Sequence, residues 1–117
     1  MHECDRLWAE IVRDLAKCIC ELCGKPGADA HHMVSRAKNR FLRHSINNGC
    51  YLCKGCHMGF HNKESQTLWK WFEENRPDDY AFLQEYKHVS RKDPYPEVLE
   101  RLKSLRDTVD GEIAEAA

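Results

Sequence analysis

The sequence predicts a small α+β domain in which two short strands and a short helix are clamped by four cysteines and flanked by helices on both sides. Three observations carry this. The 117 residues suit one domain, 1–117, and leave no room for a second. Cys20-Glu-Leu-Cys23 and Cys53-Lys-Gly-Cys56 form two Cys-x-x-Cys pairs that enclose a stretch without helical period. Apolar residues recur at helical spacing before and after that stretch.

The first element is a helix over residues 5–19, where Leu7, Trp8, Ile11, Val12, Leu15 and Ile19 make one buried stripe. Gly24-Lys25-Pro26-Gly27 is a turn. Strands are predicted at about 29–34 and 50–52, with a tight turn at Asn47-Asn48-Gly49. A short helix follows over 54–61, then helices over 65–75, ended before Pro77, over 78–89 and over 96–109. The core finger thus spans about 18–63 and the C-terminal helical part 64–117. Trp69, Trp71 and Phe72 are read as apolar cover for the finger rather than as a base-stacking platform. Val98, Leu102, Leu105 and Val109 are ordinary packing, because the stripe is too short for a coiled coil.

Composition and charge narrow the function. With 42% hydrophobic and 32% charged residues, a soluble globular core is expected rather than wholesale disorder. No apolar run approaches the ~18 residues of a membrane span, and the charged start, Met1 to Arg6, does not read as a secretory signal. An intracellular, cytoplasmic protein is expected, and seven cysteines there point to metal rather than disulfides. The net charge of −1 hides an uneven distribution: residues 24–63 carry seven Lys/Arg against Asp29 alone, whereas 1–23 sum to −2 and 64–117 to −5. A local basic field steers polyanions whatever the total. The acidic C-terminal helices could meet protein partners, and nothing in the sequence fixes the oligomeric state.

The two Cys-x-x-Cys turns let Cys20, Cys23, Cys53 and Cys56 converge as a tetrahedral structural zinc site. Their 29-residue separation is long, so something is accommodated between them. Cys4, Cys18 and Cys50 lie off the pattern and are read as buried or free thiols; the x-x spacing favours Cys20 over Cys18 and Cys53 over Cys50. Between and just after the knuckles stand His31, His32, Asn48, His57 and His61. On a helix, His57 and His61 are i and i+4 and can grip one ion from one face. Neighbours on a strand point to opposite faces, so His31 and His32 should have different jobs, one on the metal and one off it.

At these residues the sequence resembles the HNH endonucleases, whose ββα-metal (His-Me finger) site occurs in colicin DNases, homing enzymes and phage nucleases. The matching elements are His31-His32, Asn48 and Leu-Cys-Lys-Gly-Cys-His at 52–57, with Asn48 nine residues before His57. The chain is similar to the zinc-knuckle branch, and the His57-x-x-x-His61 helix resembles that of the colicin DNases. The resemblance covers residues 18–63. The Trp-rich helix beyond it resembles those of some phage recombination-module proteins. It implies a zinc-stabilised ββα-metal, treble-clef-like finger with His32 as general base, His31, His57 and His61 as ligands of a catalytic ion, and Asn48 holding the turn that orients His32. The family often has Asp at the position of His31. Histidine there favours Zn²⁺, Ni²⁺, Co²⁺ or Mn²⁺ over Mg²⁺ as the second divalent ion.

Phosphodiester hydrolysis needs a deprotonated water and stabilisation of phosphate charge, which a neutral histidine and one ion with open positions can supply. No paired carboxylates, Ser/His/Asp set or phosphate-binding glycine loop competes for the chemistry. Arg36, Lys38, Arg40 and Arg43 follow the histidine pair closely and are expected to contact backbone phosphates. The expected function is metal-dependent DNA cleavage, and the resemblance implies that it leaves 5′-phosphate and 3′-hydroxyl ends. Activity should fall as pH drops through about 6–6.5. The rivals are a non-catalytic zinc-knuckle module binding nucleic acid or protein, and an RNA-directed nuclease.

Overall fold

The computed structural model describes residues 2–62 and 65–116, with residues 60–62, 65 and 114–116 described by backbone alone. The described residues form an α+β structure of five α-helices and one two-stranded sheet. Helix α1 (His2–Leu15) precedes strand β1 (Asp29–His32); a 3-10 turn (Ile46–Asn48) leads into β2 (Gly49–Leu52). Helices α2 (Lys54–Asn62), α3 (Ser65–Asn75), α4 (Pro77–Tyr86) and α5 (Tyr95–Ala116) follow. None is long and apolar enough to cross a membrane.

α1 buries Cys4, Leu7, Trp8, Ile11 and Val12, the helical spacing read from the sequence, but it ends sooner than expected. Lys17 (φ 57°) and Cys18 (φ 62°) turn into the left-handed region, which ends the helix. Leu15 and Ile19 therefore leave the stripe and are about half exposed, at 48% and 46%. Ile19 instead bridges to Pro26 across the first cysteine turn. In that turn Gly24 has a φ of 78°, which glycine adopts without steric cost.

The two strands pair antiparallel, with His31 opposite Cys50 and His32 opposite Gly49. A side chain at position 49 would collide with Val12 and Trp8, so glycine there lets α1 lie directly on β2. The expected tight turn at Asn47–Gly49 is the 3-10 turn feeding β2, at the end of a long connection from β1. Helices α2 and α3 match their predicted spans closely, whereas α5 begins at Tyr95 and runs beyond Val109 to Ala116.

Two apolar clusters hold these elements. One joins α1 to α5 through Trp8, Ile11, Val98, Leu102 and Val109. Arg106 of α5 adds an ion pair to Asp14 of α1 at 2.9 Å. The other surrounds the cysteines with Cys50, Leu52, Leu68, Phe72 and Leu83. Phe72 is fully buried there and Trp69 and Trp71 are partly so, as expected of apolar cover. At the junction of α3 and α4, Arg76 donates to the Gly49 carbonyl, to Asp79 and to Glu21, while Glu21 accepts the Tyr51 amide at 2.7 Å. This ties the first cysteine turn, β2 and the C-terminal helices into one frame.

Candidate functional site

The sulfur atoms of Cys20, Cys23, Cys53 and Cys56 lie within 4.8 Å of one another. The Cys23–Cys53 separation is 3.6 Å. Four thiolates about 2.3 Å from a tetrahedral zinc would sit about 3.8 Å apart, so this set fits such an ion. The backbone prepares it: the Glu21 amide bonds to the Tyr51 carbonyl at 2.9 Å, fixing the first turn to β2, and the second turn is the start of α2. Burial raises the Cys20 thiol pKa, but hydrogen bonding by the Cys53, Cys23 and Leu22 backbone prevails and brings it down to about 6. The four cysteines could therefore hold a metal ion such as zinc. Cys4 and Cys50 are buried and Cys18 is exposed, none of them in the cluster.

An open cleft of about 920 Å³ lies beside this centre, lined by α1, β1, the start of α2 and α3. His31, His32, Arg36, His57, Trp69 and the exposed Met58 all border it. The imidazoles of His31 and His57 meet edge to face, with centroids 5.1 Å apart. His57 Nδ1 donates to Asp29 Oδ2 at 3.0 Å, and Lys54 Nζ donates to Asp29 Oδ1 at 3.3 Å. The hydrogen bond from His57 holds the Asp29 carboxyl below its ordinary pKa; desolvation opposes it, and Lys54 adds to the lowering. Asp29 was counted in the sequence only as a lone charge. Its place three residues before His32 and at the head of β1 becomes meaningful once α2 docks against that strand. The His61 side chain lies outside the described residues.

His32 has a different setting. Its Nε2 donates to the Arg43 carbonyl at 2.9 Å, which leaves Nδ1 with the lone pair. Its ring is stacked on Trp8, with centroids 4.0 Å apart and planes 11° from parallel. Burial pushes its pKa down to about 4, against the opposing effect of the Arg43 carbonyl, so the ring is neutral at pH 7. Asn48 is fully buried; its Oδ1 accepts the Val34 amide at 2.7 Å and its Nδ2 donates to the Val34 and Leu42 carbonyls. It thereby fastens both ends of the 34–42 loop to the turn before β2, directly after His32.

The four basic residues of that loop do not share one environment. Arg36 is exposed and borders the cleft, Lys38 is exposed, and Arg40 is exposed beside a second, narrow cavity. Arg43 departs from the expectation of phosphate contact. Its guanidinium grips Asp5 of α1 through two hydrogen bonds of 3.0 and 2.7 Å, and His44 donates to the same carboxylate at 2.7 Å. A forked guanidinium–carboxylate pair is committed to its partner, so Arg43 joins the basic loop to α1. Neither Asp5 nor Trp8 carried a motif that could have marked it in the sequence.

Comparison with protein-family models, with curated proteins and with solved structures returns no match for this chain.

Proposed function

We propose that the chain is a metal-dependent endonuclease of the HNH type that hydrolyses DNA phosphodiester bonds. In this reading β1, β2 and α2 form a ββα-metal, treble-clef-like finger, and Cys20, Cys23, Cys53 and Cys56 are its structural zinc ligands. The observation that carries the reading is the setting of His32: an imidazole neutral at pH 7 bordering the cleft, its Nε2 proton fixed by a backbone carbonyl, its Nδ1 left with the lone pair. Next to it, His31 and His57 stand edge to face, with a carboxylate behind His57. A module that only binds needs the cysteines but has no use for this pairing of an oriented base with clustered imidazoles.

The donor set His31, His57 and His61 suits a divalent ion of intermediate softness better than Mg²⁺. With Nδ1 of His57 donating to Asp29, Nε2 is the atom by which His57 would ligate, the arrangement of a carboxylate–histidine–metal triad. When bound, such an ion supplies Lewis-acid stabilisation of the phosphate charge and of the departing oxygen. His32 Nδ1 takes a proton from water as the water oxygen attacks phosphorus. The bond from phosphorus to the 3′ oxygen breaks and that oxygen takes a proton from solvent water, giving 5′-phosphate and 3′-hydroxyl ends. Asn48 keeps the chain after His32 in place, and Arg36, Lys38 and Arg40 supply phosphate contacts that fix position without reading sequence.

The test is incubation of purified protein with supercoiled plasmid, a branched DNA junction and RNA across a panel of divalent ions. Metal-dependent nicking of plasmid or junction supports the reading. DNA binding with no nicking under any ion makes the chain a zinc-knuckle binding module, and cutting confined to RNA makes it a ribonuclease.

A further inference from the structure

We infer that the nucleic-acid-contacting surface continues past the cleft onto the segment linking α4 to α5, where Lys87, Arg91 and Lys92 take backbone phosphates of duplex DNA. This rests on the nuclease reading and extends its substrate contact to a second part of the chain. In the sequence these residues lie some fifty positions from the basic loop, within a stretch whose net charge is −5. The fold removes that separation.

Asn39 is the fastener. It is 2% exposed, and its Nδ2 donates to the Tyr86 and Lys87 carbonyls at 3.1 and 3.0 Å while its Oδ1 accepts the Leu42 amide at 2.9 Å. A buried amide with three such bonds holds the 35–44 loop rigidly against the end of α4. Beside it, the Arg91 guanidinium lies over the Phe41 ring at 4.7 Å, and Phe41 packs on Tyr86 with centroids 5.4 Å apart. Arg40 and Lys92 border the same narrow cavity. The fold therefore brings the loop that carries Arg36, Lys38 and Arg40 against the segment that carries Lys87, Arg91 and Lys92.

These charges have little internal compensation. Between Lys87 and Lys92 the chain has no acidic residue. Among the described residues, no carboxylate forms an ion pair with Arg36, Lys38, Arg40, Lys87 or Lys92; Lys87 reaches the uncharged amide oxygen of Gln84 at 2.7 Å. Arg91 pairs with Asp93 at 3.3 Å, but that one carboxylate is shared with Arg101 at 3.4 Å. Six exposed cations packed on adjoining segments repel one another, and a polyanion relieves that repulsion while releasing its own counterions. The basic loop borders the cleft at Arg36 and is fastened to the linking segment at Asn39, which favours a nucleic-acid backbone, a repeating polyanion, over an acidic protein.

The experiment measures affinity for a fluorescent DNA duplex by anisotropy, from low to moderate salt and without added divalent ion. It uses the full chain, Lys87→Ala/Lys92→Ala, and Lys103→Ala as an exposed control on α5. Arg91 is kept because its guanidinium stacks on the Phe41 ring. The double variant is expected to bind about tenfold more weakly and to lose about two from the log–log salt slope, with zinc content and melting temperature unchanged. The control should match the parent chain. A parent chain that binds while the double variant and control bind alike overturns the extended surface and leaves the nuclease reading standing, since plasmid nicking is scored separately. Tighter, salt-resistant binding to an RNA duplex than to DNA overturns the assignment of partner.

Discussion

The indole of Trp8 lies flat on the imidazole of His32, with centroids 4.0 Å apart and planes 11° from parallel. The contact joins α1 to β1 and makes the N-terminal helix one wall of the cleft. The same helix reaches His32 a second way. Asp5 grips the Arg43 guanidinium, and the Arg43 carbonyl accepts the His32 Nε2 proton. α1 thus fixes the plane of the ring through Trp8 and supports its tautomer through Asp5.

Substitutions at Trp8 should separate these effects. Trp8→Phe keeps an aromatic face on His32 but loses the 2.8 Å hydrogen bond from Trp8 Nε1 to the Ser45 carbonyl. It should cost about 1–2 kcal/mol and leave nicking within a few-fold of the parent. Trp8→Ala removes a nearly fully buried ring and should cost about 3–5 kcal/mol, with a larger loss of rate because the His32 ring gains freedom. Denaturant unfolding and nicking, both measured well below the midpoint, check the pair.

How much was legible in the sequence follows from how local each signal is. The stripe Leu7–Val12, the two cysteine pairs and the span of α3 depend on residues a few positions apart, and they were readable. Leu15 and Ile19 kept the apolar period, but nothing in it signals the left-handed backbone at Lys17 and Cys18 that ends α1. Asp29, Asp5 and Asn39 act through distant partners 25 to 48 positions away. Such a carboxylate or amide looks like any other polar residue until the chain closes on it. Arg43 shows the converse: a basic residue in a basic run looked available for phosphate, and only the docking of α1 shows it engaged.

Two kinds of ion should respond to different substitutions. Structural zinc contributes roughly 10–16 kcal/mol in small modules, against total domain stabilities of about 5–15. Cys53→Ser should therefore unfold the central part of the chain and abolish zinc content measured by elemental analysis. Asp29→Asn should leave that zinc and the fold intact but weaken the second ion about 10–100-fold by titration calorimetry, because it loosens His57. Native protein devoid of zinc would contradict the first expectation, and unchanged affinity in Asp29→Asn the second.

The pH dependence follows from His32. Its pKa is lowered by burial from 6.5 to about 4, so between those values the unfolded chain binds a proton that the folded chain does not. This contribution to stability is complete above pH 6.5 and is lost as pH falls toward 4. Allowing for partial solvent access, it is worth on the order of 2 kcal/mol. Half-buried His44 is lowered as well, chiefly by desolvation, and acts with the same sign. Denaturation midpoints of zinc-loaded protein should fall between pH 7 and 5, and less steeply in His32→Gln. The same lowering revises the acid limb expected from an ordinary histidine at about 6–6.5. His32 stays neutral well below that, so a loss of activity near pH 6–6.5 would not report on the protonation of His32.

Plasmid nicking by His32→Ala and His31→Ala over a metal titration, with zinc content and DNA binding measured alongside, tests the assignment of His32 as general base most directly. His32→Ala should keep both ions and its DNA affinity, yet cut about 10²–10⁴-fold more slowly at every metal concentration. His31→Ala should bind the second ion more weakly and regain part of its rate as that ion is raised. Cutting by His32→Ala at the parent rate, or restoration of its rate by excess metal, would contradict the assignment.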